Sequence, residues 1–221
     1  MNQWPISHYR WLIIIASFVV MMVISIYQYS WFLFAFAIQK QLGWNPATIG
    51  LTYTILAYTS TFVQPFSGFI SDAYGPRKVA IAASLVVGLG FILAPFASSP
   101  PLFHLTYGLG GLGVGVLYGI STACALKWFP DKRGLATGLV VFGFGAGTAI
   151  FNLFIQGLLA SKGLNTTFLW VGFFMVSTLI PLSLLYKYPE DQWSHDLHLP
   201  KKSDEISINY KPAEMLGTYQ W

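Results

Sequence analysis

Six stretches of this chain, residues 11–38, 46–70, 79–96, 102–126, 135–160 and 167–186, contain no Asp, Glu, Lys or Arg. Each is about 18 to 28 residues long, and roughly 20 apolar residues in helical form cross the hydrocarbon core of a bilayer. Backbone in hydrocarbon must satisfy its own hydrogen bonds, so helices are the expected form of all six. Composition agrees: 9% of the residues are charged and 55% are hydrophobic, against roughly 25% charged in an ordinary soluble domain. The expected fold class is an all-α membrane protein with six transmembrane helices.

A formal net charge of +4 would by itself admit nucleic acid as a partner, but its distribution argues against one. Arg10, Arg77, Lys78, Lys127, Lys132, Arg133, Lys187, Lys201, Lys202 and Lys211 fall in the head, the second and fourth gaps, and the tail, whereas Lys40 and Lys162 fall on the other side. All acidic residues also share the first side. Short loops rich in Lys and Arg stay cytoplasmic, so both termini are expected inside a multi-pass protein of a cell membrane, such as a bacterial inner membrane. Membrane lipid is then its surroundings. The first run is too long for a signal-peptide core and no small-residue cleavage site follows it, so it is expected to be retained. The organisation is read as a cytoplasmic N-terminus (1–10), a six-helix transmembrane body (11–186), a cytoplasmic linker (187–211) and the start of a seventh helix that is not completed (212–221).

Catalytic and metal chemistry find little support. Cys124 is the only cysteine, so no internal disulfide or cysteine-based zinc site can form. His195 and His198 lie in a polar tail, where solvation is the simpler reading, and Asn165-Thr166-Thr167 is a short sequon of the kind chance produces. Gly108-Leu109-Gly110-Gly111-Leu112-Gly113 spells a dinucleotide fingerprint, but it sits inside an apolar run, follows no strand and has no acid about 20 residues on. No carboxylate pair or His–acid dyad lies within the runs. No enzyme, cofactor or metal is expected. Gly111, Gly115 and Gly119 are spaced by four, as are Gly134 and Gly138, and Gly143 and Gly147. That spacing puts small residues on one helix face, where a neighbouring backbone can come close.

The gap between the second and third runs reads Gly68-Phe69-Ile70-Ser71-Asp72-Ala73-Tyr74-Gly75-Pro76-Arg77-Lys78. Physically, Gly68 allows close approach of another backbone, Gly75 permits a sharp turn and Pro76 suits a helix start. Asp72 can pair with Arg77 or face the positive end of a helix. Such a cluster could hold the ends of two helix bundles together and release them. A plain topogenic loop would need only the basic residues. The pattern resembles the signature of the major facilitator superfamily, with Gly68, Asp72, Gly75, Arg77 and Lys78 at the matching positions. Where the family usually has arginine after the aspartate, this chain has Ala73.

Other segments resemble one branch of that superfamily, the oxalate/formate antiporters and related organic-anion carriers. They are Tyr27-Gln28-Tyr29-Ser30-Trp31, the glycine-rich stretch ending Leu117-Tyr118-Gly119, Trp128-Phe129-Pro130-Asp131-Lys132-Arg133-Gly134, and Tyr188-Pro189-Glu190-Asp191-Gln192-Trp193. The resemblance implies a transporter built from two six-helix halves, each made of two inverted three-helix repeats. This chain would supply the first half. The substrate site would lie at the midplane between the halves, lined on this side by helices one, two, four and five.

Polar side chains within spans face a cavity or another helix. In the first run Ser17, Ser25 and Gln28 share a face, with Tyr29 beside them. Tyr118 and Thr122 are one turn apart in the fourth, and Thr148, Asn152 and Gln156 form a stripe in the fifth. The stripe Thr54, Tyr58 and Thr61 in the second is read as structural. Similar residues in the antiporter branch mark Gln28, Tyr29 and Tyr118 as candidate substrate-binding residues. Asn152 joins them, with an interhelical role as its alternative. Only His104, tyrosines and Cys124 are ionisable within the runs; the resemblance to the antiporter branch implies that the cations for an anionic substrate come from the second half.

The expected function is transport of small organic anions, of oxalate/formate or monocarboxylate type, by alternating access. The chain is expected to be a truncated or split N-terminal half whose partner is a missing C-terminal six-helix half. The alternatives are a non-transporting membrane subunit or homodimer, and a carrier of the same fold for a sugar or drug.

Overall fold

The computed structural model describes the backbone over residues 6–189 and side chains over 8–189. The expectations for most of 187–211, for 212–221 and for His195 and His198 lie outside the described residues. Within them the fold is helical: α1 (Ile6–Tyr29), α2 (Trp31–Leu42), α3 (Pro46–Tyr74), α4 (Pro76–Leu93) with a short 3-10 turn at Ala94–Phe96, α5 (Pro100–Trp128), α6 (Arg133–Lys162) and α7 (Leu164–Ser183). These are the six expected spans, the first of them interrupted at Ser30.

Local chemistry sets the boundaries. Pro46, Pro76 and Pro100 each open a helix, where the missing N–H would have had no partner. Asn45 caps α3 by accepting the Ala47 N–H at 2.9 Å, the usual task of an N-cap side chain. Gly43 ends α2 at φ 66° and Gly75 separates α3 from α4 at φ 86°. Positive φ is the conformation L side chains avoid, at a cost of roughly 1–2 kcal/mol. Gly75→Ala should therefore lower the thermal unfolding midpoint of the purified protein. An added Cβ there meets nothing within 4 Å, so the loss should come from backbone strain alone. An unchanged midpoint would show that the turn relaxes.

Five of the six spans are long and apolar enough to cross a membrane by length and composition: His8–Leu42, Pro76–Phe96, Pro100–Trp128, Arg133–Lys162 and Leu164–Ser183. The sixth, α3, has 29 residues but the most polar composition. Its hydroxyls are absorbed locally. Ser60, Ser67 and Ser71 donate to the carbonyls of Ala57, Gln64 and Gly68 at 3.1, 2.6 and 2.9 Å. A hydroxyl satisfied within its own helix removes most of the penalty of an apolar setting. Large apolar side chains such as Phe142, Leu153, Phe154, Trp170 and Phe173 lie more than 60% exposed, a surface suited to lipid.

Several span pairs fit a three-span repeat, although α4 lies far more closely on α5 than its equivalent α7 does on α1. α3 lies on α5 and α1 lies on α6, which are equivalent pairs when spans one to three map onto four to six; α1 against α5 and α4 against α7 are the self-equivalent pairs. Lipid gives no hydrophobic drive between helices, so close backbone approach does much of the holding. A Cβ on Gly111, Gly115 or Gly119 would run into Thr59, Ser60 or Ser67 of α3, and one on Gly143 or Gly147 into Phe18 or Met22 of α1. The expected glycine faces are there. Gly134 and Gly138 differ, because nothing lies within 4 Å of either.

Toward the end opposite Arg10, an aromatic cluster fills the centre. Tyr27 meets Phe91 edge-on at 4.5 Å and Tyr107 at 4.7 Å, and Phe34 meets Phe168 at 4.6 Å. The Tyr27 hydroxyl donates to the Val87 carbonyl at 3.0 Å in a slot left open by Gly90 and Gly110.

Candidate functional site

A cavity of about 440 Å³ opens between α1, α3, α5 and α6, the first, second, fourth and fifth spans. Its polar wall is Gln28 and Tyr29 from α1, Ser60, Thr61 and Gln64 from α3, and Tyr118 from α5; Val114, Val141, Phe144 and Gly145 complete it. The lining holds carboxamides and hydroxyls but no carboxylate, ammonium, guanidinium or imidazole. Such a wall can donate several hydrogen bonds to an anion but cannot neutralise it.

Three of the four residues singled out as substrate-binding, Gln28, Tyr29 and Tyr118, line this cavity. The Phe144 ring stands between the two tyrosines, 5.2 Å from Tyr29 and 5.5 Å from Tyr118, edge-on to both. Asn152 lies off the cavity and accepts a 2.6 Å hydrogen bond from the Ser30 hydroxyl. Ser17 and Ser25 are fully buried, and Ser25 donates back to the Met22 carbonyl. Thr122 returns its hydroxyl to the Tyr118 carbonyl. On α3 the lining differs from the Thr54, Tyr58 and Thr61 stripe. Thr61 is on the cavity, Thr54 is exposed and bonded to the Gly50 carbonyl, and Tyr58 is 74% exposed. Sequence reasoning missed Ser60 and Gln64. The three-residue step from Thr61 to Gln64 in a charge-free run was the available signal.

The motif residues sit at the charged end of the bundle, with one correction to the expected pairing. Asp72 does not pair with Arg77. Its Oδ1 accepts from Lys127 Nζ on α5 at 2.6 Å. The physical reason is that α3 packs along α5 and brings their ends together, whereas Arg77 lies beyond the Gly75 turn. The partners are 60% and 42% exposed, so the pair is worth at most about 1 kcal/mol. Such a contact can form and break. Gly68 also differs from expectation: it touches no other backbone, since nothing lies within 4 Å of an added Cβ.

Lys127 is held from a second side. Its Nζ lies 3.5 Å from the centre of the Tyr188 ring, and Tyr188 shares a 2.6 Å hydrogen bond with Ser71, one residue before Asp72. Burial pushes the Tyr188 phenol up to about 12, so it stays protonated at physiological pH. Nearby, Tyr186 pairs with Ser121 at 2.7 Å and the Trp128 indole donates to the Lys187 carbonyl at 2.7 Å. The residues following α7 thus tie the charged ends of α3 and α5 together. A second ion pair, Arg10 with Asp131 at 3.4 Å, is more sheltered, at 16% and 22% exposure. The Arg10 guanidinium also lies 4.7 Å from the Phe129 ring centre.

The bundle and its motif match a known family. A family model described as Major Facilitator Superfamily matches residues 13–209. The chain belongs to that superfamily. Membership supports a multi-pass membrane protein. In fold it is similar to the xylose transporter XylE of E. coli in an inward-open conformation, with a TM-score of 0.67 at 14% identity over 85% of this chain and 51% of that one. Among curated relatives it is 43% identical to an uncharacterized 38 kDa protein in the 23S RNA operon of Thermoproteus tenax, over 79% of this chain and 46% of that protein. It is 31% identical to the oxalate:formate antiporter of Oxalobacter formigenes, over 96% of this chain and 50% of the antiporter. The chain therefore spans about half the length of the curated relatives it matches.

Proposed function

We propose that this six-helix body is one half of a carrier for small organic anions, of oxalate/formate or monocarboxylate type, working by alternating access against a second six-helix body. One observation carries the reading: the open cavity between the first, second, fourth and fifth spans is lined by hydrogen-bond donors and no charge. A carboxylate takes hydrogen bonds from carboxamide N–H and from hydroxyls, and bonds to a charged acceptor are each worth roughly 1.5–3 kcal/mol. The facing body would supply the cations. The similarity to the oxalate:formate antiporter supports the same substrate class. The charged end is cytoplasmic on this reading, by the bias of Lys and Arg toward it.

The assembled carrier, reconstituted with formate inside liposomes, should take up labelled oxalate or a monocarboxylate by exchange and leave xylose behind. Xylose uptake without carboxylate uptake would overturn the substrate class. This chain alone in liposomes should be silent. Carboxylate exchange by it alone would overturn the need for a second body.

The pairing of Asp72 with Lys127 is proposed as part of the cytoplasmic gate, together with Gly68, Gly75, Arg77 and Lys78. Because the pair is weak, losing it should disturb the balance between conformations more than the fold. Asp72→Asn in the assembled carrier should lower exchange severalfold with insertion and thermal midpoint unchanged. Exchange equal to the parent protein would refute the gate.

A further inference from the structure

The first span breaks at Ser30, directly after the two cavity residues it contributes. Ser30 is fully buried and stands between α1 and α2 without entering either helix. Its N–H bonds to the Ile26 carbonyl at 3.1 Å, and its own carbonyl accepts the Leu33 N–H at 3.0 Å. Nothing in Tyr27-Gln28-Tyr29-Ser30-Trp31 forbids a continuous helix, since it holds neither proline nor glycine. Ser30 itself keeps right-handed helical dihedrals, φ -83° and ψ -4°, and two neighbouring spans meet the chain at the interruption. The Tyr107 hydroxyl of α5 donates to the Tyr27 carbonyl at 3.0 Å, and the Ser30 hydroxyl donates to Asn152 Oδ1 of α6 at 2.6 Å.

The same face of α6 also touches the span one and two turns earlier. Phe144 packs edge-on against Tyr29, and Gly147 lets α6 close on Met22 and Ser25. Phe144 thus limits the Tyr29 ring from the side, while the bond to Ser30 fixes the backbone from which Gln28 and Tyr29 project.

We propose that Asn152 is a positioning residue for the cavity. Through Ser30 it holds the interrupted first span so that Gln28 and Tyr29 present their polar groups to the bound carboxylate. The inference rests on the organic-anion reading for its ligand and on the Ser30–Asn152 hydrogen bond for its geometry. Asn152 itself is not part of the cavity lining.

The test uses the assembled carrier in nanodiscs, with oxalate and formate as probes. Ser30→Ala and Asn152→Leu should each raise the oxalate dissociation constant by roughly three- to tenfold, the range of one neutral hydrogen bond. The double variant should be no weaker than the worse single one, since both remove the same contact. Asn152→Gln keeps a neutral carboxamide oxygen and should recover part of the affinity. A 19F label on the Tyr29 ring should shift in Ser30→Ala and Asn152→Leu and return toward the parent position in Asn152→Gln. Lowered thermal stability with unchanged affinity and an unchanged 19F signal would leave Asn152 a merely structural residue and overturn the proposal. If the parent carrier binds neither oxalate nor formate, the organic-anion reading falls. The 19F signal then decides the geometry alone: a shift in both variants sustains the positioning role, and no shift overturns it.

Discussion

Gly115→Leu should largely abolish recovery of folded protein. Gly115 lies where α5 touches α3, and a Cβ there would run into the Ser60 backbone and the Val63 side chain. Overpacking a well-packed interior typically costs about 1–3 kcal/mol, and a collision with backbone cannot be relieved by a rotamer change. Helices in lipid gain little from apolar burial against one another, so separating α3 from α5 removes contact that nothing else replaces. The same substitution at Gly138 is the control. That position meets nothing within 4 Å, and leucine is the better helix former, by somewhat less than the roughly 0.8–1 kcal/mol that separates glycine from alanine. Detergent-solubilised yield on size exclusion should collapse for Gly115→Leu and hold for Gly138→Leu. Equal yields would show that the glycine face is not what closes α5 on α3.

Gln28→Leu and Gln64→Leu should each weaken carboxylate binding by the assembled carrier by about tenfold or more, the equivalent of losing one hydrogen bond to a charged acceptor. Both side chains line the cavity, from opposite walls on α1 and α3. Leucine keeps the bulk and removes the donors, so the helix contacts should survive. Thermal midpoints near that of the parent would separate lost recognition from lost fold. Thr54→Ala is the comparison on α3, because Thr54 lies off the cavity and bonds only to the Gly50 carbonyl in its own helix. It should bind as the parent does. Full affinity in both glutamine variants would place substrate recognition elsewhere.

The spans were legible because charge and hydrocarbon are incompatible, so the six gaps in the charge pattern had to be the crossings. Their ends were legible where proline or glycine marks them, at Pro46, Gly75, Pro76 and Pro100. The break at Ser30 was not legible, and the groups that meet the chain there, Tyr107 and Asn152, come from other spans far along the sequence. The partner of Asp72 was hidden for the same reason. Arg77 is nearer in sequence, but packing of α3 on α5 brings up Lys127. The α3 wall of the cavity was misread through a four-residue stripe. Ser60, Thr61 and Gln64 face the opening, and Tyr58 lies outside it. Gln28, Tyr29 and Tyr118, marked by their resemblance to residues of the antiporter branch, do line the cavity; their contact with substrate is the proposal.

The most direct measurement is substrate protection of a cysteine placed in the cavity. Cys124 is the only cysteine of this chain and is buried, so with the cysteines of the facing body replaced background labelling is low. With Tyr118→Cys in the assembled carrier, a membrane-impermeant maleimide should modify the new thiol, and oxalate should slow the reaction severalfold. Leu153→Cys, on the lipid-suited surface, should stay unlabelled. A Tyr118→Cys thiol that reacts at the same rate with and without oxalate or formate, or reactivity at position 153 equal to that at 118, would contradict a carboxylate-binding cavity on this face of the bundle.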